Sequence, residues 1–129
     1  MARKGWSKSL SGFAREVEAE QNKRLRATAL QALNGVIERS PVDTGAFRGN
    51  NSVSVGQPDR GYDPDSQDRS GSEALGNGMR IIGRVTKAFD VIYIQNNLPY
   101  AEELENGSST QAPAGVYAIT FDNLRAQNT

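Results

Sequence analysis

The stretch PYAEELENGSSTQAPAG, residues 99–115, decides how the rest of the chain is read. It opens on Pro99, whose fixed φ and missing N–H suit the first turn of a helix. Glu102 and Glu103 follow in that turn, where carboxylates favour the positive end of the helix dipole, and Gly107 supplies a left-handed stop. The spacing predicts a short helix with Tyr100, Ala101 and Leu104 facing a sheet, then an uncharged loop. Both flanks are β-like. Residues 90–96, DVIYIQN, form a short apolar run that predicts a buried strand. Residues 116–121, VYAITF, alternate Tyr117, Ile119 and Phe121 against Val116, Ala118 and Thr120, which predicts the strand that closes the sheet. The polar tail, residues 122–129, is expected to fray.

Upstream, the apolar positions Phe13, Val17, Leu25, Ala29, Leu33, Val36 and Ile37 fall mostly three or four apart and predict an amphipathic helix over residues 11–39. Gln21 interrupts that stripe and Gly35 weakens it, so the N-terminal half is expected to project beyond the core. Residues 1–10 read as a flexible basic arm. Lys23, Arg24 and Arg26 lie beside the apolar line. Ser40-Pro41 stops the helix, since proline restricts the residue before it and breaks the hydrogen-bond ladder. Asp43, Thr44 and Gly45 then predict a turn, in which a side-chain oxygen accepts from nearby amides and glycine takes positive φ. Residues 47–55 alternate weakly, with Asn51, Val53 and Val55 on one face, and predict a strand with one wet side.

Residues 56–71, GQPDRGYDPDSQDRSG, carry almost no aliphatic residue and predict a long exposed loop. Asp59, Asp63, Asp65 and Asp68 lack the spacing of a calcium-binding loop. Over residues 73–89 the set Leu75, Met79, Ile82, Val85 and Phe89 predicts a second helix, with a strand at residues 80–86 as the alternative. These elements make one α+β domain over residues 1–129. A long N-terminal helix packs on a three- to four-stranded, mainly antiparallel sheet, with one or two further short helices.

Composition narrows the chemistry. The chain has no Cys and no His, which removes disulfides, thiolates, the commonest metal ligand and the commonest general base. Glu102, Glu103 and Glu105 are the densest acidic cluster, but paired-carboxylate hydrolysis needs two carboxyls facing across a cleft. Helix-dipole and surface roles account for all three. The hydroxyls of residues 108–110 have no base in the same segment. No phosphate-binding glycine loop and no zinc spacing occur. No cofactor, metal, small-molecule substrate or enzymatic activity is expected.

The longest apolar run, residues 91–94, is far short of the roughly 20 residues that a membrane helix needs. Residues 1–13 are basic but lack an apolar core, so no secretory signal is expected. Residues 1–50 hold nine Lys/Arg against five Asp/Glu, and residues 51–129 hold six against ten. Such polarity suits identical subunits meeting head to tail. The basic crowding near the N-terminus, Arg3 to Arg26, makes a small nucleic-acid-binding module the alternative reading. The interleaved Glu16, Glu18 and Glu20 and a pI near 6.3 weigh against it.

Three blocks carry a family likeness. Ser40-Pro41-Val42-Asp43-Thr44-Gly45-Ala46-Phe47-Arg48 is followed by Asn50. Ile92-Tyr93-Ile94 leads into Asn96-Asn97-Leu98-Pro99-Tyr100-Ala101. Leu104-Glu105 and Gly107-Ser108 precede Gln111-Ala112-Pro113-Ala114-Gly115. In this order they resemble the tail-completion or neck proteins of long-tailed bacteriophages, the group that includes minor tail proteins of the Z type. The likeness extends from about residue 10 to residue 121. The chain departs from that pattern at Asn51, where an aromatic often follows Asn50, at Ser109, and in having little after Phe121.

The resemblance implies a non-enzymatic virion protein, made in the host cytoplasm and built into the phage neck. There it forms a hexameric or dodecameric ring that completes the tail and joins it to the head connector. Implied partners are further copies, the connector and the tail terminator or tube proteins, with passive contact to DNA in the channel and none to membrane. An uncharged loop costs little to desolvate, and proline limits the conformations lost on docking. Ser109, Thr110, Gln111, Ala112, Pro113, Ala114 and Gly115 are therefore the first candidates for the joint, with Gln111 and Ala112 expected to be exposed. Arg3, Lys4, Lys23, Arg24 and Arg26 are the second. Pro41, Asp43, Thr44, Gly45, Pro99 and Gly107 are expected to set turns.

Overall fold

The computed structural model describes residues 2–87, 90–107, 111–112 and 115–127, with side chains from residue 14 onward. In chain order the elements are α1 (Ala2–Arg39), α2 (Ala46–Gly49), β1 (Asn51–Val55), α3 (Ser72–Gly83), β2 (Ile92–Asn96), α4 (Ala101–Glu105) and α5 (Tyr117–Gln127). The architecture is α+β, with the long N-terminal helix lying against an antiparallel pair of strands and four shorter helices around them. The pair runs in the register Asn51↔Asn96, Val53↔Ile94 and Val55↔Ile92.

Helix α1 spans 38 residues, about 57 Å at 1.5 Å per residue. Its backbone takes in residues 2–10, which the sequence suggested as an arm. Among its described side chains, those that pack on the body belong to its C-terminal half. Ala29, Leu33 and Ile37 meet Val53 of β1 and Ala74 and Ile82 of α3 in one core cluster. Val36 joins Ala46, Phe47, Leu98, Ala112 and Val116 in a second. Residues 14–21 are exposed throughout, as expected of a projecting half.

Ser40 and Pro41 end α1 where expected, and the freed carbonyls find partners. The Arg48 guanidinium donates to Glu38 O at 3.2 Å and to Ser40 O at 2.8 Å. A cation there also suits the negative end of the helix dipole. Ser40 Oγ donates to Val36 O at 2.5 Å. Gly35, a weakness by propensity, is where α5 comes close, since a Cβ there would fall 2.7 Å from Thr120 Cγ2.

Four sequence expectations are corrected. Among the described residues the sheet has two strands, not three or four. The closing strand is helix α5: Val116 and Thr120 are buried four residues apart, and Thr120 Oγ1 donates to Val116 O at 2.7 Å. The helix runs on through residues 122–127, read as a fraying tail. Residues 46–49, at the edge of the first predicted strand, form a single helical turn, so that strand begins at Asn51.

The second helix forms as expected, not the alternative strand, but it stops at Gly83. Its inner face is Ala74, Gly78 and Ile82, while Met79, assigned inward by spacing, is 49% exposed. The loop of residues 56–71 is mostly exposed, and its aspartates serve separate ends. Asp59 Oδ1 accepts from Gly61 N, Asp63 Oδ1 from Asp65 N, and buried Asp68 Oδ2 from Ala74 N in the first turn of α3.

Candidate functional site

The turn at residues 40–47 is built from short side chains and one glycine. Thr44 Oγ1 accepts from Ala46 N at 3.2 Å. Gly45 has φ 91°, and the backbone of residues 67–69 passes over it so closely that a Cβ would lie 2.6 Å from Arg69 N. No side chain fits there. Phe47, fixed in the second core, packs against Tyr100 with ring centroids 6.4 Å apart. Gln111 closes the group by accepting from Val42 N at 2.9 Å and donating to Asp43 Oδ1 at 3.4 Å. Residues from the turn, from α4 and from the loop after it thus converge on one recess of about 620 Å³.

The recess is acidic, with two aromatic rings in its lining. Asp43 and Glu103 line it with Tyr100, Phe47 and Leu104. Partial burial, and then the charge of Asp43, raise the Tyr100 phenol above its ordinary range, so it stays a donor at neutral pH. Tyr100 is 41% exposed, not packed fully onto the sheet as the helix spacing suggested. What the recess offers chemically is hydrogen bonding and an apolar rim.

Behind it lies a buried polar network. Asn51, 2% exposed, donates through Nδ2 to Ser40 Oγ at 2.8 Å and to Arg48 O at 3.1 Å. Its Oδ1 accepts from the Tyr117 hydroxyl at 2.6 Å and from Asn96 Nδ2 at 3.3 Å. One amide therefore ties the end of α1, α2, both strands and α5. Asn50 clamps the long loop, exchanging hydrogen bonds of 2.7 Å with both backbone groups of Asp63. Asn97 Nδ2 donates to Asp59 O at 2.6 Å. Burial, and then the charge of Glu105, push the Tyr117 phenol far above its ordinary range.

Glu105 starts α5 from a distance. Its carboxylate accepts from the amides of Val116, Tyr117 and Ala118 at 2.9, 2.8 and 2.8 Å, three donors that otherwise have no partner at a helix start. Burial alone would raise this carboxyl. The three amides outweigh that and hold it below its usual value.

The predicted site residues divide unevenly. Ser109, Thr110, Pro113 and Ala114 lie outside the described residues. Gln111 is exposed at the recess, as expected. Ala112 is not: at 4% exposure it packs in the second core, because the loop turns inward between α4 and α5. Gly115 is buried with φ 82°, against the Glu105 carbonyl. Arg3 and Lys4 belong to the α1 backbone. Lys23 and Arg24 are exposed, with Arg24 3.5 Å from Glu20. Arg26 turns toward the body and donates to Val85 O at 2.9 Å, so the basic residues do not form one free row. Gly107, with φ 88°, makes the expected stop.

The sequence reading passed over Asn51, Arg48, Glu105 and Tyr117 as functional supports. The one available signal was the pair of Asn-Asn dipeptides, at residues 50–51 and 96–97, which meet where the strands meet. No helix among the described residues is long and apolar enough to cross a membrane, and no cluster of three or more acidic side chains is placed there to hold a metal ion. Comparison of the chain with protein-family models, curated proteins and solved structures finds no match.

Proposed function

We propose that this chain is a non-enzymatic virion protein of the phage neck, forming a hexameric or dodecameric ring that completes the tail and joins it to the head connector. The observation that carries the reading is the convergence of the three resemblance blocks. The turn at residues 40–47, helix α4 and Gln111 come from segments about 60 positions apart, yet they build one recess. Blocks that share a surface are what a contact surface requires, and the same blocks also supply Ala46, Phe47, Leu98 and Ala112 to the second core beneath it. The projecting half of α1 and the division of charge along the chain fit assembly from identical copies.

A nucleic-acid module has less support. Phosphate tracking asks for an uninterrupted basic face, and here Arg26 is used by the Val85 carbonyl while Arg24 sits beside Glu20. The reading is tested by removing the gene from the phage that encodes it. Filled heads and finished tails should then accumulate unjoined, and supplying the protein in trans should restore joining. Normal yields of joined particles without it would refute the proposal.

A further inference from the structure

The open side of the sheet follows from its hydrogen-bond phase. Just past the strands Gly56 N donates to Val91 O at 2.8 Å, and these two residues lie opposite each other in the register of β1 and β2. In an antiparallel pair such bonded positions alternate with unbonded ones. Ser54↔Tyr93 and Ser52↔Gln95 therefore carry the ladder, and the N–H and C=O groups of Ile92 and Ile94 turn to the other side of β2. No group among the described residues takes them up. The matching outer groups of β1 belong to Asn51 and Val53, 2% and 4% exposed, whereas Ile92 and Ile94 are only half-buried. The edge left open is that of β2.

A groove of about 380 Å³ runs along that edge. Leu25 and Ala29 of α1, Ile92 and Ile94 of β2, and Phe121 and Leu124 of α5 line it. Among the described residues none of β1 does, so the groove lies on the side of β2 away from β1. Its charged lining residue, Arg125, sits beside Asp122 at 3.6 Å. Backbone donors and acceptors spaced for an extended chain thus stand next to apolar walls that offer no unpaired charge.

We propose that an extended segment of a different protein adds to the sheet here as a third strand. It is hydrogen-bonded to Ile92 and Ile94 and carries an apolar residue at every second position, packed against Ala29 and Phe121. A docked helix would leave the edge groups unpaired. A strand satisfies them, and its period of two puts alternate side chains on the α1 side, which is strand addition at a sheet edge. Proteins otherwise cover such edges or blunt them with charge, proline or a bulge, and β2, reading IYIQN in unbroken register, carries none of these. The donor is not another copy, because no described segment of this chain is both extended and free. β1 and β2 pair with each other, residues 116–121 alternate but enter α5, and residues 56–71 have no alternating apolar positions. The contact does not depend on the neck reading, which its failure would leave standing.

The test uses the full chain and a capped peptide of alternating Val and Thr. In the free chain the amides of Tyr93 and Gln95 should exchange slowly with solvent and those of Ile92 and Ile94 fast. Adding the peptide should slow the second pair. Methylating the peptide nitrogens at every second residue removes the donors of one edge only. One of the two methylated forms should therefore lose binding and the other keep it, which an apolar contact alone would not do. Ile92→Pro removes an outward N–H at the first position of β2, where proline costs no ladder bond. Thr28→Arg fills the groove from an exposed position of α1. Both variants should lose the peptide while Tyr93 and Gln95 stay protected. Slow exchange at Ile92 and Ile94 in the dilute free chain, a peptide that leaves them fast at every concentration, or equal binding of both methylated forms would each overturn the contact. Protection of those two amides that grows with the chain's own concentration would put a second copy on the edge and overturn the foreign donor.

Discussion

The Tyr117 hydroxyl donates to Asn51 Oδ1 at 2.6 Å, across 66 positions of sequence. Asn51→Leu removes that acceptor together with the donors to Ser40 and Arg48 O, leaving a buried phenol unpaired. The variant should lose about 2–3 kcal/mol of unfolding free energy. Tyr117→Phe should lose about 1 kcal/mol, and the double variant less than the sum, because both share one hydrogen bond. Urea denaturation of the four proteins measures this. Strict additivity would show that the pair is not coupled.

Much of this fold was legible in local pattern. The stops at Pro41 and Gly107 and the second helix, read over residues 73–89 and formed over Ser72–Gly83, follow from residue types whose effects reach only a few positions. What escaped came from partners far along the chain. Residues 116–121 alternate like a strand, but the amides of residues 116–118 are taken by Glu105, eleven to thirteen positions earlier. No local capping residue announces α5. Likewise Arg48 is an ordinary cation in sequence and becomes the C-terminal partner of α1 only after the chain turns back at Gly45. The recess could be read in part, since its turn and Gln111 were both singled out, but the inward position of Ala112 depends on how α4 and α5 enclose the loop.

Two glycines of α3 should respond in opposite directions to the same change. A Cβ on Gly78 would strike Leu33 and lie 2.9 Å from Val53 Cγ2, whereas a Cβ on Gly76 meets nothing within 4 Å. Gly78→Ala should therefore cost about 1–3 kcal/mol by overpacking. Gly76→Ala should stabilise by up to about 1 kcal/mol through helix propensity. Thermal melting reads both signs at once, and equal effects would mean that α3 does not pack on Leu33 and Val53 as described.

Glu105 sets a pH dependence whose sign follows from its hydrogen bonds. Its folded carboxyl titrates below the unfolded value of about 4.3, so its stabilisation is complete above that value and is lost as pH falls through the folded one. Glu105→Gln should be less stable than the unaltered chain at pH 7 by about 1 kcal/mol, the usual worth of a helix cap. The gap should narrow below about pH 4. Urea midpoints for both proteins from pH 7 to pH 3 check this, and a gap that stays constant on acidification would contradict it.

Gln111 and Ala112 are neighbours with different fates. Ala112→Arg forces a charged side chain into the core beside Val36 and Phe47 and should cost about 3 kcal/mol or more. Gln111→Glu keeps the acceptor for Val42 N but turns a carboxylate toward Asp43, and should shift stability by no more than about 1 kcal/mol. Under the proposed function, Gln111→Glu still folds yet lowers the yield of joined particles. Chemical denaturation separates the two stabilities, and a head-to-tail joining assay reads the second effect.

The most direct measurement of the proposed role is a reconstruction of the neck in purified particles of the encoding phage, with this chain carrying a density label at an exposed position such as Tyr62. The account predicts a closed ring of identical labelled copies between the connector and the tail tube, with the turn at residues 40–47 and Gln111 at a protein contact. Particles whose necks hold no copy of the chain, or hold it as scattered single copies, would contradict it.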